Sequence, residues 1–238
     1  MKNKLMITAH RGCTEFGNHE NTIAAIQKAI DIKCDAVEID IRKTKDNFII
    51  LHHDDNILGK KIKDLNLFDL KELSKSLNYE IALFEDVLLI CKDRILVDIE
   101  LKETGYEEEI VKLVRKYLKY NQFFIRSFND KSIIKVKKYD KLIKTGLLLG
   151  VEKANIIKRL SEIFPLCRII KTKCDFVAPH YLLIIFGFIK RMHLINKKVI
   201  SWTVNDEKKI KKLINNKIDG LVSDYPSKVI KIYQDINK

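Results

Sequence analysis

Glu38 and Asp40 stand one residue apart in the run AVEIDI, and His52 and His53 close the next apolar run, FIIL. Val37, Ile39 and Ile41 alternate with Glu38, Asp40 and Arg42, so the twofold period of a strand sends both carboxylates to one face. Neighbouring carboxylates destabilise each other's ionised forms unless a cation or several donors lie between them. A hard divalent metal bound through oxygen meets that need. Taken alone, such a pair is better read as an exposed strand with a solvated acidic face, and what overturns that comes from elsewhere in the chain.

Glu100 and Lys102 repeat the same spacing in ILVDIELK. With Glu38 and Asp40, Glu100 makes an oxygen-ligand set for one divalent cation, Mg2+ or Ca2+, with water or substrate oxygens completing the shell. Lys102 is placed to grip an anionic substrate oxygen, and Arg11 offers a forked donor to the same group. An anion held by a divalent metal, a lysine and an arginine is most economically a phosphate ester. Hydrolysing a phosphodiester near neutral pH requires a proton acceptor at the nucleophile and a donor at the leaving oxygen. His10 and His53 are the candidates; His52 falls on the other side of its strand and reads as structural.

Bringing these residues together requires a repeating scaffold. Strand-like runs are expected at 5–9, 36–41, 95–101, 123–128, 143–149, 176–178, 199–204 and 220–223, with a second extended piece at 48–52. Helices are expected at 21–32, 83–91, 106–120, 130–139, 154–163, 182–195, 206–216 and 227–235, and the lysine-rich stretch to about Asn78 reads as irregular. About eight strand–helix units in one domain predict a TIM-type (β/α)8 barrel, whose chemistry sits at the C-terminal ends of the strands. The chemical residues obey that rule. His10 and Arg11 follow strand one, Glu38 and Asp40 end strand two, Glu100 and Lys102 end strand three, and Trp202 ends strand seven.

Composition bounds the rest. At 238 residues with only three prolines and no low-complexity seam, one domain spanning 1–238 is the expectation. Lysine and arginine number 45 against 32 acidic residues, a net charge of +13 that favours anionic partners. The lysines are spread along helical faces with little aromatic interleaving, so nucleic acid is not an expected partner. Five cysteines without a CxxC spacing argue against a disulfide framework or zinc site and fit reduced thiols in the cytoplasm. MKNKLMITAH offers no apolar core for a signal peptide. The longest apolar run, Tyr181–Ile189, is too short to span a membrane and reads as a barrel-packing helix.

The ordered set HRG (10–12), ENT (20–22), ExD (38–40), TKD (44–46), HD (53–54), IExK (99–102), WTVN (202–205) and DGLVSDYP (219–226) resembles the glycerophosphodiester phosphodiesterase family over nearly the whole chain. The resemblance implies a TIM barrel with a small insertion after the second strand, here about 55–80. It implies His10 and His53 as acid–base histidines, Glu38, Asp40 and Glu100 as metal ligands, and Arg11 and Lys102 as phosphate-contacting cations. Glu20 would support the site and Trp202 would wall the alcohol portion. Three departures concern the rim: His19 stands for a proline and would loosen the start of the first helix, DNILGKK replaces an arginine-bearing run, and Ala82 replaces a proline.

The function so implied is metal-dependent hydrolysis of a small-molecule glycerophosphodiester to sn-glycerol 3-phosphate and an alcohol. One rival keeps the site but acts like a lysophospholipase D on a lysophospholipid, with Tyr181–Ile189 and the lysines making transient contact with a membrane surface. Another is a basic, non-catalytic binding protein on a degenerate barrel, against which the complete set of His10, His53, Glu38, Asp40 and Glu100 argues. Head group, choice of ion and oligomeric state are not encoded in these spacings.

Overall fold

Short β-branched and aliphatic runs, each too apolar to face water, find cover by joining edge to edge and taking helices on their outer side. A computed structural model describes residues 4–151 and 153–237. Residues 1–3, 152 and 238 of the expected 1–238 domain lie outside the described residues. The staves are β1 (Met6–Ala9), β2 (Ala36–Lys43), β3 (Leu96–Leu101), β4 (Phe123–Ser127), β5 (Thr145–Leu149), β6 (Phe176–Pro179), β7 (Lys198–Ser201) and β8 (Gly220–Ser223). Each pairs in parallel with its neighbours in sequence, and β1 pairs with both β2 and β8, closing a TIM barrel.

The α-helices among the described residues are α1 (Ile23–Asp31), α2 (Leu67–Ser76), α3 (Phe84–Cys91), α4 (Glu107–Tyr117), α5 (Asp130–Tyr139), α6 (Ile156–Ile163), α7 (Leu166–Thr172), α8 (Phe188–Leu194), α9 (Glu207–Asn215) and α10 (Pro226–Ile236). Two aliphatic cores separate staves from helices, one around Ile26, Ile39 and Ile99, the other around Leu149, Ile210 and Leu221. Inside the barrel, Phe124, Leu148, Phe176 and Ile200 form an apolar plug. Gly146 makes room for it, because a Cβ there would lie 2.2 Å from the Phe176 ring.

The structure departs from the sequence reading in four places, each for a local reason. β2 runs on to Lys43 because Ile41–Lys43 pair antiparallel with Ile49–Leu51, so Glu38 and Asp40 lie inside β2 and not at its tip. The stretch read as irregular holds a hairpin, Asn56–Ile57 with Lys60–Lys61, and helix α2, built over a small core of Ile50, Ile57, Ile62 and Leu70. Exposed lysines mask that helix's apolar spacing. Helix α7, after Pro165, was not expected at all. Finally, Tyr181–Ile189 is not a barrel-packing helix: a 3-10 turn at Tyr181–Leu183 and left-handed residues Phe186 and Gly187 delay the helix until Phe188.

Gly12 shows how tightly the loop after β1 is specified. Its φ of 85° lies in the left-handed region, and a Cβ would stand 2.6 Å from Ala25 Cβ. Gly12→Ala is expected to lower unfolding free energy by about 1–3 kcal/mol, measured by urea denaturation. An unchanged midpoint would refute the packing argument.

Candidate active site

Parallel register sets Glu38 beside Asp98 and Asp40 beside Glu100, and β4 brings Arg126 beside Glu100. All five side chains are buried. Ions so far from water are tolerated only when matched by opposite charge. Arg126 approaches Glu38 Oε1 at 2.9 Å through Nη2 and Asp98 Oδ1 at 3.1 Å through Nε. Lys102 Nζ donates to Glu100 Oε1 at 2.7 Å and lies 3.2 Å from Asp40 Oδ1. Burial pushes the Asp98 carboxyl well above the usual carboxylate range and Glu100 upward, against the pull of Arg126 and Lys102. Burial also opposes the Asp40 anion, yet Lys102, Arg11 and His53 hold its carboxyl well below the usual range.

One oxygen from each of Glu38, Asp40 and Glu100 lies within 4.8 Å of the others. An all-oxygen, buried, converging donor set fits a hard divalent cation.

The loop from His10 to Thr22 wraps this cluster. Arg11, with φ of 54°, donates its N–H to Glu38 Oε2 at 2.8 Å. Its Nη1 donates to both Glu20 oxygens at 2.9 Å, and its Nε lies 3.4 Å from Asp40 Oδ2. Asn21 donates to Asp40 Oδ2 at 2.9 Å and accepts the Asp40 N–H at 3.1 Å. Thr22 caps α1 by accepting the Ala25 N–H. The ENT motif thus divides its labour: Glu20 holds Arg11, Asn21 holds Asp40, and Thr22 starts the helix. The expectation that His19 loosens this start is not met, since its ring stacks on Tyr79 at 3.7 Å and ties the loop to the insertion.

The two candidate histidines share one design. His10 Nδ1 lies 2.6 Å from Asp224 Oδ1, and its Nε2 stands 3.9 Å from Glu38 Oε2. His53 Nδ1 lies 2.7 Å from Asp54 Oδ1. A carboxylate can only accept, so each Nδ1 donates and each Nε2 is left to exchange protons. Burial opposes the His10 imidazolium, but Asp224 and Glu38 more than offset it and raise the pKa. Asn205 steadies Asp224, donating to its Oδ2 at 2.6 Å and accepting its N–H at 3.0 Å. Arg42 donates twice to the His53 carbonyl and once to Glu103, fixing that segment. His52 turns away to the Asn56 carbonyl at 3.2 Å.

Trp202 donates Nε1 to the Ala178 carbonyl at 2.7 Å and meets Phe128 edge-on at 5.4 Å. It shares an open groove with His53. His10, Arg11, Glu20 and His52 line a second depression beside it. Direct contacts therefore join His10, Arg11, Glu20, Glu38, Asp40, Glu100 and Lys102. His53 and Trp202 adjoin them through the groove they share. Sequence reasoning missed Asn21, Asp98, Arg126, Asn205 and Asp224. Asp98 carried a signal, being two residues before Glu100 on the same face; the others carried none outside their motifs.

Residues 10–228 match the profile of the Glycerophosphoryl diester phosphodiesterase family. A glycerophosphodiester phosphodiesterase of Caldanaerobacter subterraneus subsp. tengcongensis is 27% identical over 96% of this chain and 98% of its own length. The fold is similar to that of a glycerophosphodiester phosphodiesterase from Parabacteroides distasonis, with a TM-score of 0.84, 21% identity and all of both chains covered. It is also similar to that of an Oleispira antarctica phosphodiesterase in complex with the product sn-glycerol-3-phosphate, with a TM-score of 0.82, 21% identity and 96% of each chain covered.

Arg126→Met strands Asp98 and Glu38 without their counter-charge, and the expected loss of unfolding free energy is about 3–5 kcal/mol. Adding Asp98→Asn should recover part of it in a double-mutant cycle. A single variant within about 1 kcal/mol of wild type would overturn the pairing.

Proposed function

The chain belongs to the glycerophosphoryl diester phosphodiesterase family, and from that premise we propose that it hydrolyses a small-molecule glycerophosphodiester to sn-glycerol 3-phosphate and an alcohol through the residues gathered at the barrel mouth. The observation that carries this reading is the convergence of three buried carboxylates within 4.8 Å, flanked by two carboxylate-tethered imidazoles. The family model and the bacterial relative at 27% identity carry this activity in their names.

Glu38, Asp40 and Glu100 would hold one divalent cation, with Mg2+ or Ca2+ both suited to oxygen donors. When bound, that ion supplies neutralisation of charge on the phosphoryl oxygens. Lys102 and Arg11, each already within reach of Asp40, turn a donor to the phosphate as it enters. One of His10 and His53 takes the proton of the attacking oxygen through Nε2, whether that oxygen belongs to water or to the adjacent glycerol hydroxyl, and the other donates to the leaving oxygen; where the glycerol hydroxyl attacks, a water then opens the cyclic phosphate to glycerol 3-phosphate. The P–O bond to the alcohol breaks as the new one forms, and the proton balance closes on the two rings. Glu20 acts through Arg11, and Trp202 with Phe128 forms an apolar wall for the non-reacting part of the substrate.

The chain would act as one catalytic domain with the 55–80 insertion as its rim. The five cysteines are free, which suits a reducing compartment such as the cytoplasm. Among the described residues no helix is long and apolar enough to cross a membrane.

Glu38→Ala and His10→Ala are each expected to lower the rate of glycerol 3-phosphate release by at least about 100-fold, and chelator should abolish it reversibly. A panel of glycerophosphodiesters assayed with and without chelator reads both. Near-normal turnover by either variant, or indifference to chelator, would refute the assignment.

A further inference from the structure

Helix α6 is built inside out. A barrel helix ordinarily turns its aliphatic face to the staves. In α6 the one fully buried side chain is instead Glu162, which accepts the N–H groups of Gly150 and Val151 at 2.9 and 3.0 Å and pairs with Arg159. Seating that carboxylate inward turns Ile156 and Ile157 outward, both 79% exposed, with Leu160 beside them. Across the groove from α6 lies the loop after β6, where Leu182 and Ile185 are exposed and Phe186 is 74% exposed. Arg191 ties the two together, donating to the carbonyls of Ile163 and Phe186. Both segments follow the C-terminal ends of their staves, so this apolar face sits at the barrel mouth, and its groove runs to His53 and Trp202.

The described cations flanking this face are Lys153, Lys158, Lys190 and Arg191, while Glu162, the acid of α6, is turned inward and paired with Arg159. Lys153, just before α6, and Lys190, in the first turn of α8, are exposed there. Protruding aliphatic and aromatic side chains flanked by cations match a bilayer interface with anionic head groups, where apolar groups enter the acyl boundary and lysines meet lipid phosphate. A second copy of the chain is a poorer match, because a twofold contact would set these lysines against themselves.

We propose that the α6 face and the Leu182–Phe186 loop dock the barrel mouth reversibly on an anionic membrane surface. This contact goes beyond the catalytic reading and stands without it. Vesicle co-sedimentation of the full chain tests it, with phosphatidylcholine alone and phosphatidylcholine doped with phosphatidylglycerol. Wild type should bind the doped vesicles at least about tenfold more strongly, less so as salt rises. Ile157→Glu/Phe186→Glu should lose at least about tenfold of that binding, and Lys153→Glu/Lys190→Glu should lose the preference for anionic lipid. Turnover of soluble glycerophosphocholine, measured on the same samples, should stay at the wild-type level in both variants. Equal binding by wild type and the Ile157/Phe186 variant would overturn the proposal. So would failure of wild type to bind, or a wild-type dimer in gel filtration that the variant abolishes. Loss of soluble turnover in wild type would instead count against the catalytic reading and leave the vesicle result intact.

Discussion

Everything at the barrel mouth depends on keeping Glu38, Asp40, Asp98 and Glu100 together away from water. Four carboxyl groups in so small a space cost far more than any barrel stave gains by hydrogen bonding, unless cations reach them from below and beside. Arg126 does so from the floor, Lys102 and Arg11 from the rim. The rim cations keep some contact with solvent, whereas Arg126 is locked in the core. In the proposed reaction that division would let the upper cations turn toward an incoming phosphate without collapsing the acids beneath them.

The two histidines extend the same logic outward. Each is oriented by a carboxylate on its Nδ1, and each supporting aspartate comes from a loop at the C-terminal end of the barrel. Asn205 and Asp224 come from the last two strand–helix units, and Glu38 from the second, so barrel closure through β1 and β8 is what completes the site. Loss of closure would leave the acidic cluster intact and His10 unsupported.

How much of this the sequence displayed follows from how far apart the partners lie. Glu38 with Asp40, and Glu100 with Lys102, are two residues apart, so a strand's pleat alone predicts their common face. The eight-unit alternation likewise announces the barrel. Asp224 is 214 residues from His10, and Arg126 meets Glu38 only because three staves lie side by side; no local period encodes either contact. The facing of helix α6 is hidden for another reason. Its aliphatic spacing is that of any barrel helix, and only the tertiary bond from Glu162 to the backbone of Gly150 and Val151 turns the face outward. The Tyr181–Ile189 run looked like a core helix until the left-handed residues Phe186 and Gly187 broke it.

The central claim is that three acids on two adjacent staves hold a single doubly charged ion. Anomalous diffraction from crystals soaked in Mn2+ tests it most directly. One peak per chain is predicted, bounded by carboxylate oxygens of Glu38, Asp40 and Glu100 at about 2.0–2.6 Å. A map without that peak at saturating ion, or with the ion bound elsewhere, would contradict it.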